Sequence, residues 1–450
     1  MGQAILSPAD QFRTLQHYTG SMRPSTALSL CAALLLANGA FAETKIMTLR
    51  EALDLALQQN PDIMLARLDQ QKARDQVTIA RDLFHPKVFA GSGGAWTTGP
   101  PSSIDGSAPS IFEARTQMAL FNQPQRFQVA AANETLRGAG IDLTRKQEEI
   151  AYEVARLYFD AEQAARSVQA AQSEIGNLSQ VADLEKVRVD EGRDNSIELK
   201  KAHLAITSAR NRADALAGDL AEAEMSLAVV LGMKPDDRVR AAQQDHPALL
   251  VAVSEQDSIA QALENSPELK RLESNMQAKE LEIKGYKAER LPKINLVAQY
   301  ELLAKYSYQP YFANFQRNAA QLGASIEVPV LMGRSARAYV SKAEADIAEL
   351  RIQTDHTRAR IAADLRKGFL EVKRAESSRD YAREALDVAR EQVSVNLAQN
   401  DEGRLPVSAV EQARATEQEK WLAYYEAQHA VDVARLNVLR QTGTLLAAVK

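Results

Sequence analysis

Cysteine is almost missing from this chain of 450 residues; Cys31 is the only one. Disulfides therefore cannot hold the fold, and stability has to come from packing or oligomerisation. Aromatic residues make up only 6%, and 20 Gly and 15 Pro are few for this length. That composition, rich in alanine, points to long packed helices more than to a bulky globular core. A formal net charge of −5 without a dense basic run gives no reason to expect nucleic acid as a partner. The histidines (His17, His85, His203, His246, His356 and His429) are scattered, with no metal-ligand spacing among them. No phosphate-binding loop, nucleophile elbow or dinucleotide-binding glycine motif stands in a suitable context. The chain reads as a non-enzyme without cofactor or metal, so energy for any transport has to come from elsewhere.

A membrane-spanning helix is missing too. The apolar stretch 27–37 falls short of the ~20 residues a bilayer requires. It follows Met22 and Arg23 and precedes Ala40-Phe41-Ala42, a small-x-small cleavage pattern. Residues 1–42 are thus expected to be an export signal, with Met22 as the true start and the mature chain beginning near Glu43. Cys31 lies inside the apolar stretch. Leu30 precedes it, where a lipidation signal wants a small residue, and apolar residues follow, so lipidation is the weaker reading.

What the chain has is a second copy of itself. Asn60-Pro61 recurs as Ser266-Pro267, and Pro86-Lys87 as Pro292-Lys293. Both prolines give one offset, 267 − 61 = 206 and 292 − 86 = 206. Amphipathic segments lie between them, with Ile63, Ala66 and Val77 in one and Leu269, Leu272 and Ile283 in the other. The period is far too long for a solenoid repeat and reads as a duplicated half-protein. Residues 43–233 form the first half and 257–450 the second. A segment at 234–256, holding Pro235 and Pro247, links them and is expected to wrap the outside.

Between Pro124 and Pro235 runs a heptad seam: Ile150, Val154, Leu157, Ala161, Ala164, Val168, Ala171, Ile175, Leu178 and Ala182. Steps of four and three over this span predict a coiled coil, and the alanines allow close approach. A second seam after Gly192 includes Ala202, Ile206, Ala209 and Leu227. The other half repeats the plan, from Ala343 and Ile347 to Val393, then from Val410 to Val438. A helix over about 125–190 would be roughly 100 Å long, which suits a device that spans a gap.

Four shorter segments alternate with period two. Residues 294–302 place Ile294, Leu296, Ala298, Tyr300 and Leu302 opposite Asn295, Val297, Gln299 and Glu301. Residues 321–330 and 112–120 follow the same rule, and the glycine-rich 87–97 occupies the fourth slot. Such lengths fit tilted membrane strands as well as half-buried soluble ones. Their matched places in an exported, duplicated chain favour the membrane. Four strands cannot close a barrel, which needs at least about eight, so several chains would have to pool them.

These features resemble the TolC-like outer-membrane efflux family over residues 47–443. The resemblance rests on Thr48-Leu49-Arg50-Glu51-Ala52-Leu53 through Asn60-Pro61-Asp62, on Phe84-His85-Pro86-Lys87, on Ala262-Leu263-Glu264-Asn265-Ser266-Pro267 through Leu291-Pro292-Lys293-Ile294, and on Val328-Pro329-Val330-Leu331-Met332-Gly333. It implies a mainly α fold with a small β part: duplicated coiled-coil hairpins forming a periplasmic tunnel, and four transmembrane strands per chain. It further implies a homotrimer whose pooled strands make one barrel in outer-membrane lipid. The function implied is a passive exit duct, fed by an inner-membrane transporter through a periplasmic adaptor.

Each half also has a glycine where its long coil should fold back, in Gly192-Arg193-Asp194-Asn195 and Gly403-Arg404-Leu405-Pro406. Ordinary helix-ending chemistry accounts for both; in the family this turn is also the tunnel's inner tip, where the adaptor docks. Some members carry acidic rings six and nine residues after the second glycine, but here those positions are Ala409 and Gln412. Glu198, Asp401, Glu402 and Glu411 remain as candidate aperture carboxylates, able to concentrate negative potential in a narrow pore. A solvated helix face explains each of them individually. The segments 98–110 and 304–317 are expected to be hairpin loops, the second with tyrosines and phenylalanines suited to a membrane boundary. The competing reading of the whole chain is a soluble periplasmic coiled-coil scaffold or adaptor.

Overall fold

Local capping starts the helices where the repeat markers lie. The computed structural model describes residues 44–93, 110–192, 195–234, 236–242, 254–303, 316–330 and 334–449. The expected signal segment and nearly all of both hairpin loops lie outside these residues, as do 243–253 of the linker. The first copy consists of β1 (Thr44–Met47), α1 (Leu49–Gln59), α2 (Pro61–Arg81), β2 (Lys87–Gly93), β3 (Ser110–Phe121), α3 (Gln123–Asp190) and α4 (Ser196–Val230), and the linker after it carries β4 (Arg238–Ala241). The second consists of α5 (Glu255–Asn265), α6 (Pro267–Ala288), β5 (Lys293–Leu303), β6 (Asn318–Glu327), α7 (Ser335–Asp401), α8 (Val407–Thr442) and the short α9 (Leu445–Val449).

The Asn60 side chain accepts from the N–H groups of Asp62 and Ile63, and Ser266 Oγ from that of Leu269. Pro61 and Pro267 occupy the first turns that follow, where a missing N–H costs nothing. Pro86 and Pro292 stand one residue ahead of β2 and β5. At 68 and 67 residues, α3 and α7 are each about 100 Å long. Every seam residue named above is buried or half-buried. Leu178 and Ala182 of α3 meet Ala202, Ile206 and Ala209 of α4. Leu365 and Val372 of α7 meet Ala434 and Val438 of α8.

The strands form one antiparallel sheet in the order β2-β3-β5-β6. The helices attached to them touch in the matching order α2-α3-α6-α7, so a wall four strands wide continues as one four helices wide. The halves join at the middle of this wall. There Arg271 reaches Asp142 at 2.9 Å and Ser274 donates to the Glu134 carbonyl at 2.8 Å. Gly138 leaves room for the Arg271 guanidinium, since a Cβ would come 2.0 Å from its Nη1.

Strand boundaries in β3 and β6 shift from expectation. β6 starts at Asn318 and stops at Glu327, because Pro329 lacks an N–H and biases Val328 out of the ladder. β2 is described only to Gly93, so residues 94–97 of that expected strand lie outside the described residues. β3 extends to Ser110 and Phe121, beyond the alternating core of its pattern.

The largest core lies near the ends of α1, α4 and α8, around Leu53, Ile63, Val154, Tyr158, Leu227, Val239 and Leu436. A small β1–β4 sheet closes it. The Tyr158 hydroxyl reaches the carbonyls of Met47 and Ala242 at 3.2 and 3.1 Å. Burial, ahead of the nearby Glu162 charge, pushes its phenol up to about 12.

Candidate functional site

Each strand carries two sets of side chains, and pairing decides where the sets go. Phe112 faces Leu302, Ala114 faces Tyr300 and Met118 faces Leu296. Across the next ladder Ile294 meets Ile326, Leu296 meets Ala324 and Ala298 meets Leu322. Val88 and Ala90 fall opposite Thr116 and Ala114. Directly opposed residues share a face, so one side of the sheet is predominantly apolar. The Phe112 and Tyr300 rings lie together on it, 6.4 Å between centroids. The other side collects Glu113, Arg115, Gln117, Asn295, Gln299, Glu301, Gln321 and Glu327. There Gln299 donates to Glu301 and Glu113, and the Arg115 guanidinium sits 5.8 Å from the centre of the Phe89 ring.

The apolar side lies open. Leu322 is 79% and Ile326 67% exposed, and among the described residues neither β2 nor β6 has a partner on its outer edge. A water-soluble rod gains nothing from such a face, whereas a barrel wall in lipid requires it. Among the described residues no helix is long and apolar enough to cross a membrane.

At the far ends of the long helices the chain turns through Gly192 and Gly403, with φ of 70° and 71°. The second turn is a Schellman closure: Gly403 N–H donates to Asn400 O at 2.8 Å and Arg404 N–H to Gln399 O at 2.9 Å. Asn400 Nδ2 adds a bond to Leu405 O at 2.7 Å, and Pro406 precedes α8 as its N-cap. In the first turn Asn195 caps α4 by accepting from Ile197 N–H at 3.4 Å. Arg193 and Asp194 lie outside the described residues, as does the side chain of Asp401.

The structure brings two of the four candidate carboxylates together. Glu411 of α8 is half-buried, and its Oε1 has no hydrogen-bond partner among the described residues. Burial first, then the charges of Glu185 and Glu198, raises its carboxyl above the ordinary carboxylate value. Glu198, in the first turn of α4, is held by Lys201 at 2.9 Å. Glu402 stands apart, exposed at the turn and paired with Arg404 at 3.0 Å. Glu185 was missed by sequence reasoning, although it is buried on α3. It is the next step of three after Ala182, so extending the seam by one position would have found it.

The sequence profile of the family described as "outer membrane efflux protein" matches residues 52–233 and 258–444. The chain belongs to the outer membrane efflux protein family. Membership places this efflux protein in the outer membrane and makes it an efflux channel. Solved structures of similar fold include that of CusC, at 17% identity and a TM-score of 0.71, covering 90% of this chain and 95% of that one. The CmeC outer membrane channel of Campylobacter jejuni is 14% identical with a TM-score of 0.68, covering 88% and 86%. The open-state MtrE outer membrane channel of Neisseria gonorrhoeae is 16% identical with a TM-score of 0.69, covering 88% and 89%. No individually curated protein sequence matches significantly. The soluble-scaffold reading is set aside by the family match and by the uncovered apolar face.

Proposed function

We propose that three copies of this efflux protein close a single barrel of twelve strands, continued by a periplasmic tunnel of helices. It is a passive exit duct, fed by an inner-membrane transporter through a periplasmic adaptor. The carrying observation is the sheet open at β2 and β6, with one apolar and one polar face, prolonged by helices in the same order. Four strands cannot hide their edges from lipid, and pairing β6 of one copy with β2 of the next removes every edge. Residues 43–233 and 257–450 act as pseudo-equivalent halves of each subunit, joined by 234–256. The turns at Gly192–Asn195 and Gly403–Pro406 form the inner tip and the docking surface for the adaptor. Glu185, Glu198 and Glu411, repeated three times, line the approach to the aperture. The chain supplies no chemistry of its own.

The test is disulfide trapping in the mature protein lacking Cys31. Cysteine at Ala90 on β2 is combined in turn with cysteine at Ala320, Leu322 or Ala324 on β6. Oxidation of one of these pairs should yield a covalent trimer on a denaturing gel, and the purified trimer should conduct ions across a planar bilayer. A ladder of open-ended oligomers, or monomers alone, would contradict closure. A closed trimer without conductance, even after loosening of the tip turns, would contradict the duct.

A further inference from the structure

The two copies differ most where a strand passes into a long helix. β3 ends at Phe121 and α3 begins at Gln123, with Asn122 between them capping the helix through Gln125 N–H at 3.1 Å. In the second copy residues 328–334 separate β6 from α7, and α7 follows its N-cap Arg334 with neither a side-chain cap bond nor an acidic residue in its first turn. Beside this longer exit lies a groove of about 720 Å3 between the end of α6 and the start of α7. Lys287, Arg290, Arg334 and Arg337 line it, with Tyr286 and, among the described residues, a single carboxylate, Glu344. Tyr286 stacks on Tyr339 at 5.1 Å between ring centroids. Among the described residues none of the four cations forms an ion pair, although the neighbouring Lys279 binds both Glu282 and Asp346.

The position of the groove selects its occupant. Arg290 is three residues ahead of β5, which starts at Lys293, so its Cα lies within roughly 11 Å of the strand end. The headgroup layer adds about 5–7 Å per leaflet to the hydrocarbon core, and arginine and lysine side chains extend across such a distance. Cations in a pocket at this depth, with tyrosines beside them, meet the phosphates of the leaflet that faces the periplasm.

We propose that this groove binds the phosphate group of an anionic phospholipid, anchoring each subunit at the inner boundary of the outer membrane. The proposal rests on the reading of β5 and β6 as membrane strands. It needs no particular transporter or adaptor.

The test uses the whole mature protein in vesicles of phosphatidylcholine with or without phosphatidylglycerol. Lipid retained after detergent extraction is read by native mass spectrometry. The pair Arg334→Gln with Arg337→Gln is compared with Arg351→Gln with Arg358→Gln, which removes the same charge from exposed positions farther along α7. At low salt a cation near such a surface is worth about fivefold, so the groove pair should lose roughly 25-fold in preference for phosphatidylglycerol. The control pair should keep that preference, and Lys287→Gln with Arg290→Gln on α6 should reproduce the loss. Equal retention by groove and control variants overturns the proposal. Displacement of the lipid by millimolar inorganic phosphate overturns the lipid in favour of a free-anion site. Loss of the trimer with unchanged lipid per chain assigns the groove to contact between copies, and also overturns it. Bilayer conductance should survive in the groove variants; its absence in the unaltered protein would instead count against the proposed duct.

Discussion

Gly192 and Gly232 share a backbone conformation, with φ of 70° and 76°, yet their surroundings differ. Among the described residues, a Cβ at Gly192 would meet nothing within 4 Å, whereas one at Gly232 would lie 2.7 Å from the Gln59 carbonyl oxygen. Alanine at 192 should therefore cost only the left-handed strain, about 1–2 kcal/mol. Alanine at 232 adds overpacking against a fixed backbone, for about 2–5 kcal/mol in all. Thermal unfolding of the detergent-solubilised variants measures the difference, and equal shifts would refute the close approach. Glu411 makes the second residue-scale prediction. Its raised carboxyl is protonated at low pH and sits beside Glu185 and Glu198 without added repulsion. As pH rises from the ordinary carboxylate value through the raised one, ionisation removes stability. Glu411→Gln should thus raise the melting temperature at neutral pH and flatten its decline between acid and neutral conditions. A variant that melts lower at neutral pH would show that the charge is needed there.

At the scale of elements, alternation along 294–302 revealed which residues share a strand face, but no single strand could show which faces meet. That depends on register, and a slip of one residue would send Leu322 to the polar side. The observed pairing of Ala298 with Leu322 and of Gln299 with Gln321 yields paired substitutions with opposite outcomes. Leu322→Lys puts a charge on the lipid face, at about 2–4 kcal/mol near the bilayer midplane, and should lower the yield of folded protein in the outer membrane. Gln321→Lys adds the same charge to the polar face; it should assemble normally and shift ion selectivity toward anions in bilayer recordings. The helices were more legible than the strands. A seam of fours and threes is a local property of one segment, and α3 starts at Gln123 and ends at Asp190, within two residues of the 125–190 span read from it. The end of β6 was less legible, because alternation continued through Val328 and Val330 although Pro329 had already broken the ladder.

The whole molecule shows the duplication at a depth that sequence identity hides. Val154 and Leu227 pack in the first core, and Leu365 and Val438 in the second; both pairs are offset by the same distance, 365 − 154 = 211 and 438 − 227 = 211. Gly232 and Gly443, each with positive φ, repeat that offset, and their closest neighbours, Gln59 and Asn265, keep the earlier one, 265 − 59 = 206. The change between the offsets arises at the longer strand exit, where residues 328–334 stand in place of Asn122 alone, less the one residue by which α7 is shorter than α3. The copies also part company at Tyr158, whose counterpart at the later offset is Phe369, outside any β1–β4 closure. The proposed oligomerisation belongs to this scale, since only the assembled sheet shows that, among the described residues, β2 and β6 have no partner on their outer edges.

The amino-acid sequence alone determined the compartment expected, the helix lengths, the two faces of each strand and the twofold plan. These follow from periodicity, capping and proline placement, which act over a few neighbouring residues. The tertiary structure alone decided the register that aligns four apolar faces, the meeting of Glu185, Glu198 and Glu411, the fit of Gly232 against Gln59, and the basic groove beside Arg334. Each of these joins residues from different elements, and their distances depend on how whole helices and strands pack, which no local pattern encodes.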